Sequence, residues 1–420
     1  MKKSTIITIV AFVLGTIILV AGFVLLVPNN ITINIWGEKD KPDQTDSTTT
    51  TTIPTTTTKP TTTTTRVTYE PLDLFDPSVV SEYVMLGDYK NMTLETNQVE
   101  ASDEDVDWQL AILLSIQKEF TKNRSGKVGE KVIFSFDFTG YLTKEDGTKD
   151  KAFNGGAGTD QLAYIEDGVL YTLSSSGIGS FIDGFAQGML NAEVGSTLDL
   201  NIKFPDDYHS ADLKGKNTIF EVKINYLVDV NFSDGWVKEY TKGEYKTCAE
   251  YREYIRGIIN DMIKESNTTK LWEQIISNAV VEIPEQHFNY LYYTYRYLFE
   301  DYAVKLGMSY EDFLKSGYVA YLYNYGMIDI NVSSDEELVT TVNDNIKFNL
   351  VMMAIIQAED LKATDEEYRM LLDSIMEQEK KTEAEVLEKY SEEEIRQQIV
   401  LHKIDDYIYD LNKFVIENPQ

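Results

Sequence analysis

The pattern of apolar and polar positions divides the chain into four stretches. The first is an unbroken apolar run: Ile6 to Val27 spans 22 residues without a charge, directly after Lys2 and Lys3. A helix of that length, at about 1.5 Å per residue, crosses the roughly 30 Å hydrocarbon core of a bilayer. Positive charge ahead of it predicts a single-pass span, N-in, with the C-terminal domains extracytoplasmic. The rival reading is a cleaved signal peptide, whose apolar region is typically only about 7–15 residues. Both readings place the remainder outside the cytoplasm. The second stretch has no periodicity. Between Thr48 and Thr65 lie fourteen Thr, two Pro, one Ile and one Lys, a composition too polar to offset its own ordering entropy, which predicts an extended stalk.

Period two takes over from Lys131. Val132, Phe134, Phe136 and Phe138 alternate with Ile133, Ser135, Asp137 and Thr139, and two later segments alternate likewise, Leu198/Leu200/Ile202/Phe204 and Phe220/Val222/Ile224/Tyr226. These predict half-buried strands. Residues 180–190 read as one short helix between them. Just upstream, Ser102 followed by Asp103, Glu104 and Asp105 is a helix start, with acidic residues where the helix dipole favours them and Val106, Leu110, Leu113 and Leu114 as the buried stripe.

Beyond Val230 the period turns helical. Thr247 and Glu250 form a capping box opening a helix through Ile263, and a second helix is expected from Lys270 to Ala279. A long one follows from Pro284, with Phe288, Tyr292, Tyr295, Phe299 and Tyr302 on one face and Tyr290, Tyr293 and Tyr297 on others. Aromatics around so much of the circumference predict that some, Tyr292, Tyr295 and Phe299 among them, line a groove for another chain. Further helices are expected over 343–361, 364–380 and from 382 to about 414 with a break near Ser391.

Charge and composition narrow the function. Of 420 residues 69 are acidic and 38 basic, giving a net charge of −31. Residues 1–66 carry about +2, so the body holds about −33, a surface that repels phosphate backbones and argues against nucleic-acid binding. One Cys and three scattered His argue against a disulfide framework, a metal centre or a Ser-His-Asp hydrolase. Cys248 falls at a first helical position, where its thiol pKa would be lowered unless it is simply an incidental small residue.

The motifs Phe136-Asp-Phe-Thr-Gly140, Ala152-Phe-Asn-Gly-Gly156, Gly179-Ser-Phe-Ile-Asp-Gly-Phe185, Val194-Gly195 and 204–216, beginning Phe-Pro-Asp-Asp-Tyr, stand in the order and near-spacing of FKBP-type peptidyl-prolyl isomerase domains. The form they resemble most is the one inside trigger factor. By that resemblance the catalytic pocket comprises Phe138, Phe153, Phe181, Ile182, Phe185, Tyr208 and Phe220, with Asn154 and His209 among the substrate contacts. Phe185 is then the floor, the Ile182 N–H a donor to a substrate carbonyl and the Tyr208 hydroxyl a rim contact. Two departures stand out: Asn154 replaces a usual acidic residue, and 157–172 is longer than the usual connection, which predicts a flap over the site. Residues 272–284, 347–368 and 394–407 resemble the trigger factor C-terminal domain, the chaperone body of that family.

Such a pocket has its own physical logic. Resonance gives the X-Pro amide a rotation barrier of about 18–20 kcal/mol, and hydrogen-bonded water at the amide oxygen supports that resonance. A dry aromatic pocket that accepts the prolyl ring favours the twisted state, with no nucleophile, metal or cofactor. The expected plan is α+β: a cytoplasmic tail (1–5), a transmembrane anchor (6–27), a disordered stalk (28–66), and a strand-helix lead-in belonging to the chaperone body (67–126). A small antiparallel FKBP-like sheet wrapped on a short helix (127–229) and an all-α chaperone-like domain (230–420) follow. The expected function is an extracytoplasmic, membrane-tethered prolyl isomerase and chaperone for unfolded or proline-containing polypeptides, without ribosome docking. The alternative is a non-catalytic chaperone or cell-surface adhesion protein with a vestigial isomerase head.

Overall fold

A computed structural model describes residues 66–417, apart from 176, 207 and 209. The expected tail, span and nearly all of the stalk, and His209, lie outside the described residues. Among the described residues no helix is long and apolar enough to cross a membrane.

The chain runs α1 (Pro77–Tyr83), β1 (Val84–Met85), β2 (Thr93–Thr96), α2 (Asp103–Ile116), β3 (Phe120–Asn123), β4 (Phe134–Thr143) and β5 (Lys149–Glu166). Next come β6 (Val169–Ser174), β7 (Gly177–Ser180), α3 (Phe185–Met189), β8 (Thr197–Lys203), β9 (Asn217–Val230), α4 (Asp234–Tyr240) and α5 (Cys248–Asn278). It closes with β10 (Val280–Val281), α6 (Glu285–Leu306), α7 (Tyr310–Lys315), α8 (Tyr318–Asn324), α9 (Asp335–Ala358), α10 (Asp365–Glu379), α11 (Glu383–Lys389), α12 (Glu392–Asp410) and β11 (Lys413–Ile416). The described residues form two compact units, 100–263 and 66–99 with 264–417.

The first unit is built on a seven-stranded sheet with path β3-β9-β4-β5-β6-β7, every pair antiparallel. Strand β9, 14 residues long, pairs β8 and β3 one after the other along one edge. Alternation along β4 sends Phe134 and Phe136 into a core that includes Phe185, Met189 and Val222, while Ser135 is buried on the other face and Ile133, just ahead of the strand, joins a second cluster with Ile112 of α2, Tyr164 and Tyr226. The strand is therefore covered on both faces, where the sequence pattern predicts one. Ser102 caps α2 through a reciprocal capping box with Asp105. That helix packs on this sheet and against Tyr251 and Ile255 of α5. The compact unit therefore extends beyond the expected 127–229 on both sides, taking in α2 from the expected lead-in and residues 230–263.

The expected flap over 157–172 is instead part of the sheet. Strand β5 runs 18 residues and turns into β6 through Asp167 and Gly168, at φ 49° and 75°. Both residues sit in the left-handed region that a two-residue hairpin turn requires.

The second unit is mostly helical. Helix α9 is apolar nearly all round, with Leu350, Val351, Met352, Met353, Ile355 and Ile356 all buried, so it forms the centre of the core. Around it pack Trp272 and Ile275 of α5, Phe299 of α6, Phe313 of α7 and Ile404 and Ile408 of α12. The region is not all-α: β1 pairs β10 antiparallel and β2 pairs β11 in parallel. Helix α9 begins eight residues before the expected 343, because Ser334 caps it through the Glu337 N–H and three acidic residues follow. The break expected near Ser391 falls between α11 and α12, with Ser391 as the N-cap. The two helices expected over 251–263 and 270–279 are one, and within it the Thr268 and Thr269 hydroxyls are satisfied by donating back to the carbonyls of Lys264 and Glu265 at 2.8 and 3.0 Å.

Candidate functional site

Strand β4 carries Phe138 beyond the fully buried Phe134 and Phe136, on the same face. The chain leaving β7 brings Phe181 and Ile182 alongside, then turns through Gly184 (φ 99°), which buries Phe185 at the start of α3. Strand β9 supplies Phe220 opposite Gly140 of β4, and β5 supplies Phe153.

These rings form a closed wall. The Phe185 centroid lies 4.6 Å from Phe181 and 4.7 Å from Phe220, both edge-on, and 6.5 Å from Phe138. Phe138 meets Phe181 at 5.1 Å, and Phe153 meets Phe220 at 5.7 Å. Phe204 lies behind, 4.6 Å from the Tyr208 ring, and is buried. Edge-to-face pairs of this kind add about 0.5–1.5 kcal/mol each beyond their burial, so the wall is stiff. Phe185 is 1% exposed, whereas Phe138, Phe153, Phe181, Ile182 and Tyr208 are only partly buried and form the rim. The Ile182 N–H has no acceptor among the described residues. Apart from the Tyr208 hydroxyl, the ring wall carries no polar side-chain group.

The structure thus gathers seven of the expected pocket residues in one cluster. Asn154 stands exposed beside them on β5. Phe134, Phe136 and Phe204 are core.

Sequence reasoning misses the residues that aim the rings. A Cβ at Gly140 would stand 2.5 Å from Cζ of Phe153, and one at Gly156 would strike the opposite edge of the same ring. The two glycines form a slot for Phe153. A Cβ at Gly158 would likewise stand 2.5 Å from the Phe138 ring. The register of β5 slips between Phe136 and Phe138, where Asp137 Oδ1 accepts the N–H of Asp160 at 2.7 Å and Asp160 adopts φ 49°. The glycines at 140, 156 and 158 are visible in the sequence, but which ring each one faces is not.

The groove expected on α6 is not open. Phe299 is fully buried. The Tyr292 hydroxyl reaches Asp335 at 3.0 Å and Arg296 at 2.8 Å, and the Tyr295 hydroxyl donates to Asp329 at 2.5 Å. With their polar tips satisfied, these tyrosines pack as core. Cys248 fits the reading of an incidental small residue: burial and the neighbouring Asp234 push its thiol up rather than down, and Asp234 takes the Cys248 N–H at 2.7 Å.

The model of FKBP-type peptidyl-prolyl cis-trans isomerases matches residues 124–225. The trigger factor of Bacillus subtilis is 28% identical over 295 residues, 69% of this chain and 63% of that one. The trigger factor of Halothermothrix orenii is 26% identical over 350 residues, 80% of this chain and 74% of that one. The chain thus spans about 63% of the Bacillus relative's length. A solved trigger factor chaperone covers 78% of this chain and 72% of its own, at 15% identity and a TM-score of 0.29, an overlap too loose to carry an argument. Residues 124–225 match an FKBP-type isomerase domain, and the chain that carries them is similar in sequence to trigger factors.

Proposed function

We propose that this protein is a foldase that catalyses cis/trans isomerisation of X-Pro bonds and binds unfolded polypeptides, tethered by residues 6–27 to the outer face of a membrane. The observation that carries the catalytic part is the ring wall of Phe138, Phe153, Phe181, Phe185 and Phe220 beside the unaccepted N–H of Ile182. A prolyl ring seated against the partly exposed Phe138, Phe153 and Phe181, above the buried Phe185, leaves its imide among apolar groups, which removes the water that supports amide resonance. In this reading the Ile182 N–H, which has no acceptor among the described residues, holds a substrate carbonyl while the C–N bond turns. The rate gain comes from binding the twisted amide better than either planar form.

The tether rests on the 22-residue apolar run behind Lys2 and Lys3. Its clients are then chains emerging outside the cytoplasm, with no docking to the ribosome. A second reading, a chaperone without catalysis, is favoured by one feature of the helical unit. Val304, Met308, Tyr325 and Met327, near the end of α6 and just after α8, are 78%, 44%, 67% and 59% exposed, which suits contact with unfolded chains.

The test is a prolyl-peptide isomerisation assay on the full chain, with Phe181→Ala and Tyr208→Phe as variants. Catalysis lost in Phe181→Ala and reduced in Tyr208→Phe, with melting retained, supports the reading. No acceleration by the wild type sinks catalysis and leaves the chaperone reading, which aggregation suppression then decides. Recovery in the soluble rather than the membrane fraction of cells would sink the tether.

A further inference from the structure

Helix α6 carries a second aromatic face, with Tyr293 and Tyr297, that the core does not absorb. A segment of the chain itself lies along it. Arg66 makes two hydrogen bonds to Asp301, at 2.8 and 3.0 Å, with its guanidinium 4.7 Å from the Tyr297 ring centroid. The Val67 N–H donates to the Tyr297 hydroxyl at 3.2 Å. Tyr69 stacks on Tyr293, 5.2 Å between centroids and 14° between planes. Gln286 donates to the Glu70 carbonyl at 3.1 Å, and the Leu72 N–H donates to His287 Nδ1 at 3.1 Å.

The contacts move down the helix, from Asp301 to His287, as the chain moves up from 66 to 72. Fourteen helical residues rise about 21 Å, and six fully extended residues span about 20–22 Å. The segment is therefore stretched antiparallel along the helix. Residues 66–72 form no strand. Tyr297, Gln286 and His287 instead take up backbone groups with their side chains, contacts that any extended polypeptide can reproduce. Selectivity is confined to two places: the acidic pair Glu300 and Asp301 facing a cation, and Tyr293 facing an aromatic ring three residues on. Arg66, Val67, Thr68 and Glu70 are exposed, whereas Leu72 packs against the core and Leu74, 1% exposed, is buried in it. The segment can thus peel away as far as Glu70 without opening the core, and exposed ion pairs of this kind hold only weakly.

We propose that this face of α6 is a binding site for extended polypeptide segments carrying a basic residue and, three positions later, an aromatic one, and that residues 66–72 are its resident competitor. The proposal rests on reading the chain as a polypeptide-binding protein. Because the competitor is covalently attached, its effective concentration is high and it screens out weak ligands.

The test uses the full chain and a fluorescein-labelled, proline-free copy of residues 66–72 with Pro71→Ala, read by anisotropy. The double variant Arg66→Ala/Tyr69→Ala should bind this peptide about tenfold more tightly than wild type, because the competitor is gone. Adding Tyr293→Ala, or the milder Tyr297→Phe, should reverse the gain. No gain in the double variant, or a gain that survives both additions, overturns the proposal. Since the probe has no proline, a missing isomerase activity would sink the catalytic reading while leaving this result standing.

Discussion

Phe153 has little room to move. Gly140 and Gly156 close on its two sides, and Phe220 meets it edge-on at 5.7 Å. Gly140→Ala must push the ring outward or shift β4. Overpacking of that sort costs about 1–3 kcal/mol, and misplacing a pocket wall by about 1 Å can lower a rate up to about 100-fold. The variant should therefore melt somewhat lower yet lose most of its kcat/KM toward prolyl peptides; a wild-type rate would show that Phe153 does not shape the site. The rings themselves were legible in sequence because the motifs spell them out. Their aiming was not, since it depends on which glycine faces which ring across a bulged pair of strands. Tyr292 and Tyr295 failed in the other direction: spacing cannot reveal that Asp335 and Asp329 lie within reach to satisfy a buried hydroxyl.

Another residue makes a claim about pH. His287 is 6% exposed, and burial pushes its imidazole down to about 4. In the unfolded chain it takes a proton near pH 6.5, while the folded chain resists until about pH 4. Its stabilising contribution is thus complete above about pH 6.5 and shrinks as pH falls toward 4, by up to about 3 kcal/mol. Asp405 opposes this, because burial raises its carboxyl and stabilises the fold toward low pH. The comparison that isolates the histidine is His287→Asn, which keeps an acceptor for the Leu72 N–H. Its denaturation midpoint should fall less steeply than that of wild type between pH 6.5 and 4; parallel curves would mean that the imidazole is protonated in the fold.

At the scale of elements, polar residues in mid-helix decide continuity. The stretch Lys264-Glu-Ser-Asn-Thr-Thr269 reads as a gap between two helices, yet α5 runs straight through it. Asn267, 2% exposed, explains why it is polar: its Oδ1 accepts from Thr96 at 2.5 Å and its amide donates to the Gln98 carbonyl at 3.0 Å, pinning the end of β2 to the helix. Asn267→Ala improves helix propensity but strands those groups, so it should destabilise the helical unit by about 1–3 kcal/mol in chemical denaturation. A stabilised variant would mean that propensity outweighs the buried bonds. Caps were the most legible feature, since Ser102 and Thr247 each start a helix where the sequence places one. The 157–172 segment was misread because Asp167-Gly168 is a hairpin signal, and a longer connection between motifs was taken for a loop.

At the scale of the whole molecule, the charge of −31 bears on how the proposed clients would be held. An acidic body attracts basic segments at long range, whereas aromatic and apolar faces hold any unfolded chain at contact. The two contributions separate by salt. Raising ionic strength from about 0.1 M to 1 M shortens the screening length from about 10 Å to about 3 Å, which removes long-range attraction and leaves apolar contact intact or slightly stronger. Exposed ion pairs such as Arg66 with Asp301 contribute about 0.2–1 kcal/mol each. A Lys-rich unfolded peptide with several Tyr and Phe should therefore lose less than about tenfold in affinity over that range, chiefly through slower association. A neutral peptide with the same aromatics should be almost unaffected. A steep loss confined to the basic peptide would show that the acidic surface, rather than the aromatic faces, does the holding.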